Sequence, residues 1–503
     1  MKASLFALAL FLAMPTGAAA QCNCGDQSDW KKSFASGDNG IQATEVRQFV
    51  IWDGKIMAAT GGWMDQTAPK GNASIIRLDG PDGPWQIETT LNSNPGTTTG
   101  GLAALHFTQS KNQNVDAWAL VAATWSGANA YTRNEADKKW YKHSFGEGQI
   151  RSFGVHKDTI AGETFAFAGG KPGIYKGQLS DNYRAAGASP IEWMGLEFDV
   201  PNNLPLCSGG GRVTGFAEAQ GKFFAAACWN VYVRHDGPIG KCSGPAQVEE
   251  GGKCNPRWTL FWTDPLAGQG ESGLRGITQV KHGGQEVLLI GSEVANAHVT
   301  RLDPASAQSV VEFNVDQFLD SLWNVNSGYK IIPYNSPMPL WYGPDGIGRR
   351  VLGFESWLPG APKPDLVRKL VNIDDGSPQQ MLGEGMLFLR EEAGRYTLQH
   401  IPASASPQPM TAVRDCIASP FPAECNAQKQ DCILYCGGFD SNKSTTQTPC
   451  TVAPCTFPPL TPVPTHATGW IAKGRIHVEP AAASIDPNEG KVPHIGAGDE
   501  PAQ

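Results

Sequence analysis

The chain has 503 residues, only 17% of them charged, and a formal net charge of −8. Without a basic run, that balance excludes nucleic acid as an expected partner, because phosphate binding needs a clustered cationic footprint. Its 58 glycines and 37 prolines are scattered along the length, which points to many short strands joined by turns, and its 12 cysteines, six of them clustered between Cys416 and Cys455, point to disulfides.

Residues 1–20 read as a secretory signal peptide. Lys2 supplies the positive start, Ala3 to Met14 the apolar stretch, and Ala18-Ala19-Ala20 the small-residue cleavage site. The apolar stretch falls short of the roughly 20 residues that span a bilayer, and no later segment is long and apolar enough. The expected product is an exported protein, extracellular or periplasmic, with no membrane span. In an oxidising compartment an even number of cysteines favours disulfides over metal thiolates. Cys432 and Cys436 could form half a zinc site, but no His pair lies at ligand spacing. Neither a metal nor a cofactor is expected.

From residue 46 onward one short signature recurs: an apolar residue, then Arg or Lys, often an acid, then a turn. It stands at Ile76-Arg77-Leu78-Asp79, Thr132-Arg133-Asn134-Glu135, Val233-Arg234-His235-Asp236, Thr300-Arg301-Leu302-Asp303 and Leu389-Arg390-Glu391-Glu392, with weaker copies at Tyr175-Lys176 and Ala472-Lys473. Each copy follows a β-like run ending in small residues, such as Ile56 to Gly61 or Phe223 to Cys228. Before that run lies a further apolar strand, as at Val46-Arg47-Gln48-Phe49, Ile150-Arg151-Ser152-Phe153 and Leu274-Arg275-Gly276-Ile277. In several units an aromatic opens a fourth strand: Trp85, Trp140, Trp193, Trp258 and Tyr396. A lone four-stranded meander has two faces and cannot bury both; packing copies radially buries each face against its neighbours.

This organisation resembles the β-propeller superfamily across roughly Val46 to Arg475. The implied fold is all-β, a seven-bladed β-propeller with disulfide-stapled loops, occupying 21–478 as one domain. No narrower family is indicated. The Ser-x-Asp-x-Gly-x-x-Trp box of sialidases survives only as the fragment Asp82-Gly83-Pro84-Trp85, and the WD40 signature is absent. An N-terminal segment is expected to complete the last blade, with Cys22 or Cys24 bonded to a cysteine of the last unit. Cys242 with Cys254 and Cys450 with Cys455 read as local loop staples. Residues 479–503 are Pro-, Ala- and acid-rich and read as a disordered tail.

In a propeller, the loops between second and third strands share a face with the starts of the innermost strands. That geometry selects Trp63, Trp125, Lys171, Trp229, Glu293, Glu355, Trp357 and Asp440 from the loops. From the strand starts it selects Arg47, Arg151, Arg275 and Lys330, with Arg212 just ahead of the fourth unit. Indole faces stack on sugar rings, while acids and arginines bond hydroxyls and carboxylates. A mouth carrying Trp63, Trp125, Trp229, Trp357, Arg47, Arg151 and Arg275 therefore suits a saccharide, including an anionic one. The recurring Arg77, Arg133, Arg234, Arg301 and Arg390 fall on outer strands and read as structural.

The sequence contains no nucleophile elbow, no zinc-protease helix and no phosphate-binding loop. Ser208 to Arg212 is glycine-rich but precedes no helix, and reads as a flexible turn. Candidate catalytic groups are His106, His298, Glu293, Glu355 and Asp440, the acids as a possible glycosidase pair and the histidines as a general base. The leading expectation is a monomeric, exported propeller binding an extracellular saccharide or other small ligand. The alternatives are a polysaccharide lyase or hydrolase on the same face, and an extracellular protein-interaction platform.

Overall fold

The computed structural model describes residues 30–62, 72–92, 97–201, 211–267, 273–293, 298–314, 330–333, 338–342, 348–357, 385–391, 396–401, 412–426, 431–442 and 466–475. At some of these, including Glu293, Lys330, Glu355, Trp357, Arg390, Asp440 and His466, only the backbone is described. The signal peptide, Cys22, Cys24, Trp63, Cys450, Cys455 and the tail lie outside the described residues.

Five antiparallel sheets follow one another along the chain, each of four strands, called A to D here. The first comprises Glu45–Trp52, Lys55–Gly61, Ala73–Leu78 and Gln86–Asn92; the second Thr99–Gln109, Asn114–Thr124, Asn129–Arg133 and Trp140–Ser144. The third comprises Gln149–Lys157, Thr164–Lys171, Gly173–Leu179 and Ile191–Asp199; the fourth Val213–Ala219, Lys222–Ala227, Asn230–Arg234 and Trp258–Thr263. The fifth comprises Gly273–His282, Gln285–Glu293, His298–Leu302 and Ser309–Asn314. Residues suited to left-handed backbone make the tight A–B turns. Asp53 and Gly54 have φ of 52° and 69°, and Gly283 and Gly284 of 57° and 80°, the positive pair that matches the twist of hairpin strands.

The A strands of consecutive sheets pack on one another in turn, and that of the first sheet meets Ala412–Ala418 near the end of the chain, closing a ring. Apolar clusters fill the gaps between sheets rather than a single central core. Leu102 and Leu120 pack with Met57 and Ile75, Phe165 and Phe167 with Val213 and Phe223, and Val46, Phe49 and Ile56 with Tyr435 and Ile471. This is a β-propeller. Its closure follows the expected scheme: the N-terminal strand Lys31–Ala35 pairs with His466–Arg475, completing the sheet formed by the C-terminal strands.

The blade count differs from the expectation. Six sheets of blade size carry the described strands rather than seven, because the last two expected units are fused. Lys330–Pro333 and Met338–Tyr342 both pair with Gly348–Trp357, which pairs in turn with Gly385–Glu391. A bridge between Glu355 and Ala412 joins this part to Ala412–Ala418, Asp431–Asn442 and His466–Arg475 in one ten-stranded sheet. That single bridged pair joins backbone edges that two separate blades would each leave apart.

The recurring cations bridge C and D strands and cross blade boundaries. Glu88 receives Arg77 of its own sheet and Arg133 of the next. Glu197 likewise takes Lys176 at 3.1 Å and Arg234 of the following sheet at 3.0 Å. Arg301 approaches Glu312 at 3.8 Å. Two disulfides join described residues, Cys242–Cys254 and Cys416–Cys436. The first staples the loop around the hairpin of Gln247–Glu250 and Lys253–Pro256; the second ties neighbouring strands of the closing sheet. Among the described residues no helix is long and apolar enough to cross a membrane.

Candidate functional site

The site is built by a repeated irregularity. Near its start each A strand is bulged against its B strand, between Val46 and Gln48, Ile150 and Ser152, Leu274 and Gly276, and Val413 and Asp415. A bulge adds one residue to one strand and re-aims its side chain. In these four the extra residue is Arg47, Arg151, Arg275 and Arg414. The fourth sheet has Thr214 at the bulge and Arg212 just ahead of it, and the second sheet has Gly100 and Gly101. An apolar residue anchors each arginine from the preceding position: Val46, Ile150, Leu274 and Val413 are all fully buried.

The five guanidiniums share one electrostatic neighbourhood. Burial pushes Arg151 well below the usual arginine range, and Arg212, Arg47, Arg275 and Arg414 push it further in the same direction. Burial also lowers Arg47, to about 10, with Arg414 adding to the effect and Glu45 opposing it. Arg212 is lowered by burial. The shifts report burial first, with crowding of like charge adding to it at Arg151 and Arg47.

Among the described residues, Glu45 is the carboxylate that pairs with this ring. It is fully buried, lies 2.9 Å from Nη2 of Arg414 and 3.5 Å from Nη1 of Arg47, and accepts the Thr98 hydroxyl at 2.6 Å. Arg151, by contrast, donates through Nε and Nη2 to the neutral amide oxygen of Gln149, at 3.0 and 2.8 Å. Where the second sheet lacks an arginine, Trp125 fills the space. Its ring centroid lies 4.2 Å from the Arg47 guanidinium and 4.0 Å from that of Arg151, cation–π contacts that strengthen when dry. Gly100 makes this packing possible: a Cβ there would stand 1.7 Å from the Ile150 carbonyl oxygen and 3.0 Å from the Trp125 ring.

The expected mouth residues separate into groups. Arg47, Arg151 and Arg275 come near one another, with Arg212. Trp125 joins them, but as a seat for the protein's own cations rather than as a sugar platform. Trp229 is not a platform either: it is 3% exposed, enclosed at a hairpin whose Cys228 is disulfide-bonded. His298 is buried against Asp264, with Nε2 3.3 Å from Oδ2, and Asp264 also accepts the Ser292 hydroxyl at 2.7 Å. A histidine so enclosed is a packing residue. His106 lies toward the other end of its strand, half-buried, 2.7 Å from Asp116 and stacked on Trp118, because an eleven-residue strand carries it away from the mouth. Glu293, Glu355 and Asp440 stand at the mouth-side ends of their strands, with side chains outside the description, as is that of Trp357.

Glu45 and Arg414 were missed in the sequence reading. The signal for Arg414 was present, since Val413-Arg414-Asp415 repeats the apolar-Arg pair of Val46-Arg47 and Ile150-Arg151. Glu45 carried no comparable signal.

No protein-family profile matches the chain, and no curated protein is significantly similar to it. Solved structures of similar form include an extracellular domain from B. thetaiotaomicron described as part of a hybrid two-component system, at 11% identity and TM-score 0.45, covering 90% of this chain and 40% of that one. Others are the RRP9 WD40 repeats, at 9% identity and TM-score 0.42 over 88% and 97% of the two chains, and an ancestral GH74 enzyme, at 11% identity and TM-score 0.46 over 91% and 52%. This chain thus spans well under half the length of the first of these. The strand order and the closed ring give the chain a β-propeller fold, with no family shown.

Proposed function

We propose that this protein is an exported propeller that binds an anionic ligand, an acidic saccharide, over the arginine-lined mouth of its central channel. The observation that carries the reading is the ring itself. Arg47, Arg151, Arg212, Arg275 and Arg414 stand close enough to perturb the charge of Arg151, with Glu45 as the paired carboxylate among the described residues. A protein of net charge −8 that gathers five guanidiniums at one place creates a local field opposite to its overall charge, and such clefts concentrate counter-ions. Export is supported by the two disulfides, which persist in oxidising compartments.

Binding is preferred to catalysis because of the two histidines. His298 is enclosed and His106 lies toward the far end, so neither stands ready to take a proton at the mouth. The test is calorimetric titration with oligogalacturonate, a sulfated oligosaccharide and neutral dextran oligomers at low and high salt. Saturable binding of the acidic ligands only, weakened by salt, supports the reading. Equal affinity for the neutral oligomer, or no binding at all, overturns it.

A further inference from the structure

Charge in the ring is unevenly balanced. Glu45 lies beside Arg414 and Arg47, on the side where the first and last sheets meet. On the side of the third and fourth sheets, Arg151 bonds only the neutral Gln149 among the described residues. Arg212, beside it, has an Nε–H that is buried and donates to no acceptor among the described residues, and the indole N–H of Trp125, against Arg151, is in the same condition. Buried donors without acceptors are costly, and each raises the affinity of the place for a group that only accepts.

We propose that the arc formed by Arg151, Arg212 and Trp125 is a seat for a single dianionic oxyanion group, of the sulfate, phosphate or phosphate-monoester class, either free or carried on the ligand. This rests on the reading of the mouth as an anion site and specifies its chemistry. Two guanidiniums that pair with no carboxylate among the described residues are matched by two negative charges. A compact tetrahedral oxyanion brings those charges with several acceptor oxygens, able to meet the fork of each guanidinium and the indole donor together. A single uronate carboxylate brings one charge and two oxygens, and leaves part of the arc unmatched.

The experiment titrates the full chain with sodium sulfate, inorganic phosphate, glucose 6-phosphate and sodium formate at constant ionic strength. The variants are R151Q, R212Q and, as a control on the exposed surface, R184Q. Saturable sulfate and phosphate binding is expected at least ten-fold tighter than formate, and at least ten-fold weaker in R151Q and in R212Q, with R184Q unchanged. Binding of glucose 6-phosphate at a matching affinity identifies an ester-borne group; binding of the inorganic ions alone identifies a free one. Thermal unfolding guards against misfolded variants: each must unfold cooperatively, and sulfate must raise the transition of the parent more than that of R151Q. Dianions binding no better than formate, or with affinity untouched by both substitutions, overturn the proposal. If oligogalacturonate still binds in that case, the seat fails while the anionic-ligand reading stands; if neither binds, both fail.

Discussion

Nη2 of Arg414 lies 2.9 Å from Oε2 of Glu45 across the seam of the ring, joining residues 369 apart in sequence. The pair is buried on both sides, and Glu45 also receives the hydroxyl of Thr98, just ahead of the second sheet. One carboxylate thus ties together the closing sheet, the first blade and the start of the second, while facing two of the five arginines of the ring.

Replacing Glu45 by Gln removes the buried counter-charge that Glu45 sets beside Arg414 and Arg47. Breaking a buried pair in this way costs about 3–5 kcal/mol. E45Q is expected to lose that much in urea unfolding at low salt and to regain part of it in sulfate, since added anions occupy the enlarged cationic site. Unchanged stability in E45Q would mean the pair contributes nothing to closure.

Gly100 tests the packing beneath Trp125. Alanine there drives a methyl into the Ile150 carbonyl, so the second and third sheets must separate locally. A loss of about 1–3 kcal/mol is expected for such overpacking, together with a change in Trp fluorescence. Gly80, whose added Cβ would meet nothing within 4 Å, supplies the control, and G80A is expected to leave the spectrum as it is.

Stability should fall as pH rises from 5 to 9. The Asp415 carboxyl is pushed up to about 7 by burial, against the opposing hydrogen bonds from the amides of Phe49 and Cys416. Its folded pKa lies above the unfolded value, so the folded state holds the proton longer, and this stabilisation is complete in acid and disappears by about pH 7. For His156 burial opposes the charge, but Asp236 at 2.9 Å and Glu218 at 2.8 Å outweigh it, raising the pKa above 6.5. Its contribution is therefore present below 6.5 and lost as pH rises through the raised value. Urea unfolding across this range is expected to show D415N flattening the lower part of the slope and H156Q the upper part. A profile identical in the parent and both variants would exclude these two groups as its source.

The inter-blade ladder makes a graded prediction. Glu197 is fully buried between Lys176 and Arg234 and accepts the Trp258 indole N–H at 3.0 Å. E197Q is expected to cost about 3–5 kcal/mol by stranding buried cations. Arg301 and Glu312 stand 3.8 Å apart, with the Arg301 side chain partly exposed, and R301Q should cost no more than about 1 kcal/mol. Equal losses in the two variants would contradict the assigned difference in burial.

Much of the fold was legible in the sequence because a propeller is a local repeat. A–B–C–D meanders are made by neighbouring residues, so the alternation of Val46-Arg47-Gln48-Phe49 and the turn Asp53-Gly54 carry their structure within a few positions. The recurring Arg77, Arg133 and Arg234 likewise marked the C strands. The number of separate blades was not legible, because it depends on whether Glu355 bonds Ala412 across more than fifty residues of chain.

By itself the sequence determined the strand pattern, the closing role of the N-terminal segment and the apolar-Arg pairs that head the inner strands, since each follows from spacing and alternation. Only the tertiary structure decided that Trp229 and His298 are enclosed, that Trp125 stacks on cations, and that Glu45 balances one side of the ring and not the other. Those outcomes depend on which distant sheets meet at the axis. Burial and charge compensation are properties of that meeting, and neither segment encodes them alone.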